Sequence, residues 1–142
     1  MKTSAKIEYA CLAMLELAAR YETGELAQVR AIADAHGIPS PFLVQILLQL
    51  KGAGLVASTR GAAGGYRLIR APEDVTLGEV MAVLDGAEPA PVVSAKSDSP
   101  HGRVLLKAWQ QIHGTEQRML DSITLAELVE QAREQAESMY YI

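Results

Sequence analysis

The sequence predicts a mainly α-helical chain that carries one small β-hairpin. Three observations support this. Two short helical stretches meet at Gly37-Ile38-Pro39. Two β-type runs, Leu55–Thr59 and Tyr66–Ile69, flank the segment Arg60-Gly61-Ala62-Ala63-Gly64-Gly65. A long apolar stripe then repeats at helical spacing from Arg103 to Ile123. Helices joined by a tight glycine turn read as a helix-turn-helix, and a hairpin directly after them reads as its wing. The expected architecture is therefore a winged helix-turn-helix followed by a long C-terminal dimerisation helix. Its expected divisions are residues 1–85, a loop at 86–102, and residues 103–142.

Each element has a local cause. Ile7, Cys11, Met14, Ala18 and Tyr21 recur at steps of three and four, which predicts one buried stripe on a first helix capped by Thr3 or Ser4 and ended by Thr23-Gly24. A second helix is expected over Ala27–His36, with Val29, Ile32 and Ala33 inward and Gly37 as its left-handed stop. Ser40 as N-cap and Pro41 at the first helical position predict a third helix to about Lys51. That helix turns Leu43, Ile46, Leu47 and Leu50 to the core, and Gly52 and Gly54 end it. Pro72 breaks the chain after the hairpin, and Thr76 caps a fourth helix reaching Leu84. Prolines 89, 91 and 100 mark 86–102 as a loop. Leu105, Trp109, Ile112, Met119 and Ile123, interrupted by Glu116, form the stripe of the long helix. That stripe has few partners nearby in sequence, so a second copy of the chain is its expected partner. Thr124 caps a last helix to about Glu137.

Composition narrows the function. Hydrophobic residues make up 49% of the 142, enough for a core, and with one Trp and one Phe the filling is aliphatic. No apolar run approaches the roughly 20 residues of a membrane span, and no secretory leader pattern opens the chain, so a cytoplasmic location without a membrane partner is expected. A single cysteine, Cys11, excludes an intrachain disulfide and a thiolate cage. The net charge of −4 is unevenly distributed. Residues 1–72 hold eight Lys or Arg against five acids, a balance of +3, while residues 73–142 hold five against twelve, a balance of −7. Lys51 to Arg70 contains four basic residues and no acid. Charges act over only about 8–10 Å at physiological salt, so a locally basic surface on an acidic chain is compatible with phosphate contact.

The segment from Gly54 to Leu68 closely resembles the wing of the Rrf-type transcriptional regulators, the family that includes IscR, NsrR and CymR. Ser4-Ala5-Lys6-x-x-Tyr9-Ala10 resembles that family's first helix, and Val75-Thr76-Leu77-Gly78-Glu79-Val80 its post-wing helix. Trp109 with Ile123-Thr124-Leu125-x-Glu127-Leu128 resembles its dimer helix and the start of the helix after it. Four matches in the right order cover nearly the whole chain. The resemblance implies a homodimer on double-stranded DNA, reading a partly palindromic operator with a recognition helix in each major groove and a wing in each flanking minor groove.

On that reading Arg60, alone among small residues at the wing tip, suits the negative potential of a narrow minor groove. Gly64 and Gly65 bring backbone amides to phosphate, serve as positive-φ hairpin residues, or do both. Ser40 contacts phosphate or base, or only caps its helix, and Gln45 suits adenine. Lys51 and Lys6 are phosphate contacts or merely solvated lysines. Ser58, on the first strand of the wing, completes the DNA-facing set. Where members of the family carry a base-reading acid, this chain has Val44, which can touch a thymine methyl but cannot accept a bond from cytosine, so a different operator is expected. Leu48, one turn on, either meets bases or packs inward.

Many members hold an iron–sulfur cluster on three cysteines and often a histidine. Counted back from Trp109, those positions fall on Pro91, Ser97, Arg103 and Leu106, so no cluster of the usual kind and no other metal or cofactor is expected. Some members recruit an acid from the partner's first helix, where Glu8 stands here. Glu8, Cys11, His101 and His113 could in principle build another metal site. Against it, Cys11 reads as a small buried hydrophobe, and His36 and His113 as surface histidines. The resemblance implies that the loop 86–102 is the sensor position, which here binds a small molecule, docks a partner protein, or is a plain connector. An enzyme is not expected, since there is no Ser-His-Asp ordering, no phosphate loop, and no paired-carboxylate pattern that outweighs helix surface charge. A repressor is the leading function. The alternative is an adaptor of the same fold that has lost tight DNA binding.

Overall fold

A computed structural model describes residues 1, 3–86, 90–92 and 99–140. Most of the expected loop, including Glu88 and Ser97, lies outside the described residues. The described elements are α1 (Ala5–Ala19), α2 (Val29–His36), α3 (Ser40–Gly52), β1 (Val56–Thr59), β2 (Gly65–Leu68), a 3-10 turn (Pro72–Asp74), α4 (Leu77–Asp85), α5 (Pro100–Ser122) and α6 (Leu125–Tyr140).

Ser4 caps α1, its Oγ accepting from Ile7 N at 3.2 Å. The buried stripe is Ile7, Ala10, Ala13, Met14, Leu17 and Ala18. Ile7, Met14 and Ala18 of the expected stripe are on it, but Cys11 is half-buried on its flank, and Tyr21 is exposed because α1 has already ended at Ala19. Ala27 does not start α2. It pairs with Tyr66, with Ala27 N to Tyr66 O at 2.9 Å and Tyr66 N to Ala27 O at 2.8 Å, adding a one-residue third strand to the hairpin. Gly37 ends α2 with φ 65 as expected. His36 is half-buried rather than on the open surface, its Nε2 3.2 Å from Glu16 Oε1 on α1.

α2 and α3 cross at 119°, within the range of a helix-turn-helix pair. No single helix among the described residues is long and apolar enough to cross a membrane. The N-cap of α3 is Pro39, not Ser40: the Pro39 carbonyl accepts from Phe42 N at 3.1 Å and Leu43 N at 3.0 Å, so the helix begins one residue early. Pro41 then sits where its missing N–H is no loss, and the Ser40 hydroxyl makes no cap bond. Leu43, Ile46, Leu47 and Leu50 are buried, as the spacing predicts.

β1 and β2 pair antiparallel with Val56 opposite Leu68 and Thr59 opposite Gly65. Thr76 caps α4 through Glu79 N at 3.2 Å. α5 starts at Pro100, a turn before the expected Arg103, because Ser99 Oγ accepts from Gly102 N at 3.0 Å and Pro100 fits the first helical position. No residue of its 23 is buried. The chain leaves α5 at Ile123, whose carbonyl accepts from Leu77 N at 2.9 Å, and Leu125 N donates to Val75 O at 2.9 Å. These bonds press α6 onto the first half of the chain. Leu125 is fully buried in the same core as Met14, Leu43 and Val80. α6 extends to Tyr140, beyond the expected Glu137.

Candidate nucleic-acid interface

The candidate surface is built from α3 and the hairpin. Burying Leu43, Ile46, Leu47 and Leu50 turns the opposite face of α3, with Ser40, Pro41, Val44, Gln45 and Leu48, away from the core. Val44 is 37% and Leu48 48% exposed, so neither packs inward. Phe42 flanks this face and meets the Tyr9 ring edge-on, centroids 5.7 Å apart, bracing α3 against α1.

Two side-chain bonds fix the wing relative to the helices. Lys51 Nζ donates to Ser58 Oγ at 2.7 Å, joining the last turn of α3 to β1. Gln28 Nε2, at the N-cap of α2, donates to the Ala62 carbonyl in the wing loop at 2.8 Å. Ser58 Oγ thus takes one of the three Lys51 donors and leaves two others open. Arg60 is exposed at the wing tip and makes no hydrogen bond or ion pair among the described residues. Arg67 is exposed on β2 and Lys6 is half-buried in the first turn of α1. Arg70, counted in the basic stretch, is instead paired with Glu79 and the Asp74 carbonyl, which removes it from the open patch.

The wing glycines hold the hairpin together. Gly65 has φ +153, and a Cβ there would stand 2.7 Å from the Ala27 carbonyl oxygen. Gly64 has no positive φ. It is buried, a Cβ would overlap the Thr59 carbonyl, and its N–H donates to Gly61 O at 3.0 Å, so that amide is not open to phosphate.

On α5, Leu105, Trp109, Ile112 and Met119 form an exposed stripe, with Ile112 61% and Met119 64% exposed. Ile123 stands apart from it, half-buried at the corner into α6. Val104, 71% exposed beside Leu105, and the Gln28 latch escaped the sequence reading. Val104 falls off the three-four spacing, and Gln28 acts on a residue 34 positions away.

The possible metal donors are scattered. Burial raises the Cys11 thiol to a pKa of about 11, so it is a protonated thiol at neutral pH. Glu8 and His101 are exposed, His113 is half-buried, and no three His, Cys, Asp or Glu gather as a metal site among the described residues.

A helix-turn-helix whose second helix is exposed beside a hairpin with a cationic tip defines a winged-helix, DNA-binding transcriptional regulator. The chain belongs to the Rrf2 family, described as iron-dependent transcriptional regulators, whose family model matches residues 3–131. It is 39% identical over 134 residues to a candidate HTH-type transcriptional regulator of Synechocystis sp., covering 94% of this chain and 90% of the other. It is 36% identical over 143 residues to CymR of Bacillus subtilis, covering all of both chains. The solved structure of that protein, described as the global cysteine regulator of B. subtilis, superposes with a TM-score of 0.80 over 92% of this chain and 97% of the other, at 34% identity. T. potens IscR superposes with a TM-score of 0.77 over 95% and 90%, at 33% identity. These relatives are regulators, not enzymes.

The family description raises the question of an iron centre, and the donor set does not fit a cysteine-ligated cluster. Pro91 and Leu106 carry no donor atom, and the Arg103 guanidinium is a cation. Cys11 is the sole thiol of the chain and is packed against the core.

Proposed function

We propose that this chain is a sequence-specific transcriptional repressor that binds a partly palindromic operator as a homodimer, in the cytoplasm where its DNA partner lies, and without a cysteine-ligated iron–sulfur cluster. The observation that carries the proposal is the Lys51–Ser58 bond, which holds the exposed face of α3 and the Arg60 hairpin as one unit. α3 enters the major groove with Ser40, Val44 and Gln45 toward base edges. Lys51 meets a phosphate and Arg60 enters the flanking minor groove. Gly65 shapes the wing, and Ser58 steadies Lys51. The uncovered stripe Leu105, Trp109, Ile112 and Met119 pairs with the same stripe of a second copy, and Ile123 closes its end. The homodimer and the absence of a cluster rest on this chain's own residues: the uncovered α5 stripe and the single cysteine.

The apolar exposure of Phe42, Val44 and Leu48 favours a second reading, an adaptor that docks proteins through α3. Selection of genomic fragments followed by salt titration separates the two. Tight binding of one palindrome, falling steeply with salt, supports the repressor, because neutralised phosphates release counterions. Weak binding that is indifferent to sequence supports the adaptor.

A further inference from the structure

From Gly37 to Leu50 the chain carries no charged residue, and the outer face of α3 offers Pro41, Val44, Gln45 and Leu48. Resting on the major-groove placement of α3, we infer that this helix reads its half-site through thymine methyl groups, with Val44 and Leu48 as the specificity-determining residues and no guanine clamp.

The chemistry works in both directions. Each base pair presents a distinct edge in the major groove, and the C5-methyl of thymine is its one apolar feature. Val44 and Leu48 stand one turn apart, about 6 Å between Cβ atoms, which spans roughly two base steps. Against a methyl they bury apolar surface. Against the N7 and O6 of guanine or the N4 of cytosine they displace water and return no hydrogen bond, which is costly. Bidentate recognition of guanine needs Arg or Lys, and the first cation of α3 is Lys51, in its last turn and bonded to Ser58. Gln45 adds the amide that suits adenine N6 and N7, so its preference and that of the two apolar residues meet on A·T pairs. The exposure of Val44 and Leu48 is thereby given a use.

The test uses the full chain and the duplex isolated by fragment selection, with deoxyuridine replacing thymidine one position at a time. Removing the methyl at one or two positions per half-site is expected to weaken binding roughly three- to fivefold each. In Val44→Ala the penalty at one of these positions disappears, and in Leu48→Ala the penalty at its neighbour disappears. Both side chains are exposed, so melting temperatures hold near the parent's, and Val44→Thr, which keeps one methyl, retains part of the effect. Tight, salt-steep binding that tolerates uracil everywhere overturns the inference while leaving the regulator reading intact. A penalty that survives both alanine variants overturns it too, as does a large loss on 7-deazaguanine substitution within the half-site. Failure to select any duplex removes the regulator reading, and this inference falls with it.

Discussion

The side-chain amide of Gln28 donates to the carbonyl of Ala62 across 2.8 Å, tying the start of α2 to the wing loop. Ala62 lies two residues from Arg60, so the bond restricts where the guanidinium is presented.

Arg60→Ala is expected to weaken operator binding, lower the slope of log K against log salt by about 1.8 (about 0.9 for each of the two wings of a dimer), and relax the preference for A·T-rich flanks. Gln28→Ala removes the latch and not the charge. It should cost several-fold in affinity with little change in melting temperature, since an exposed hydrogen bond contributes only about 0.5–1.5 kcal/mol. In the Arg60→Ala background the Gln28→Ala effect should vanish. Additive losses in that double-mutant cycle would mean that Gln28 acts by some route other than aiming Arg60.

Gly65→Ala attacks the other attachment of the hairpin. The substitution places a Cβ 2.7 Å from the Ala27 carbonyl oxygen at a φ of +153, and the backbone on both sides is held by the Ala27–Tyr66 pair. A loss of roughly 1–3 kcal/mol in denaturant unfolding is expected. Gly61→Ala is the comparison. It also has positive φ, 107, but nothing within 4 Å, so it should cost less. Equal costs would show that dihedral strain, not the close approach, dominates at Gly65.

Local signals were legible wherever one residue determines one bond. Ser4, Thr76 and Thr124 each cap the helix that comes after them, and Gly37 stops α2. Signals split between distant residues were not. Ala27 leaves its expected helix because Tyr66 offers backbone partners, and Leu125 joins the first half's core because Val75 and Leu77 bind its neighbourhood. Of the expected α1 stripe, Ile7, Met14 and Ala18 are buried, whereas Cys11 lies on its flank and Tyr21 falls past the helix end at Ala19, which the three-four spacing alone does not mark. Ser40 and Pro100 show the ambiguity of cap signals. Pro39 took the cap expected of Ser40, and Pro100 opens a helix where it suggested a loop. At the candidate site, the cationic tip could be read from sequence, but the outward orientation of Leu48 was left open there, and the latches that orient helix and wing are tertiary.

Cys11 gives a pH prediction. Its folded pKa, about 11, is raised above the unfolded 9.0 by burial. A raised folded pKa means that the unfolded chain releases the proton first as pH climbs. The thiol's stabilising share is complete below pH 9, declines between 9 and 11, and is lost above that. Unfolding free energy of the parent should therefore fall relative to Cys11→Ala by an amount on the order of 2 kcal/mol across that window. Parallel curves for the two proteins would contradict it. The same shift predicts slow alkylation at neutral pH in the folded protein and fast alkylation in urea.

The stripe on α5 yields the last prediction. Its 23 residues rise about 35 Å, long enough for a seam of several turns, and none of them is buried within the chain. Ile112 is 61% exposed, so Ile112→Glu removes nothing from the monomer's core. If the stripe pairs two copies, the variant places like charges opposite each other in an apolar seam, where unpaired carboxylates are strongly disfavoured. Light scattering should then report a monomer with its helical content retained. Operator affinity should fall by orders of magnitude, because each half-site is gripped without its tether to the other. Gln110→Glu makes the same charge change on the polar face formed with Lys107, Gly114 and Arg118, and should leave the dimer intact. A dimer that persists in Ile112→Glu would place the interface elsewhere on the chain.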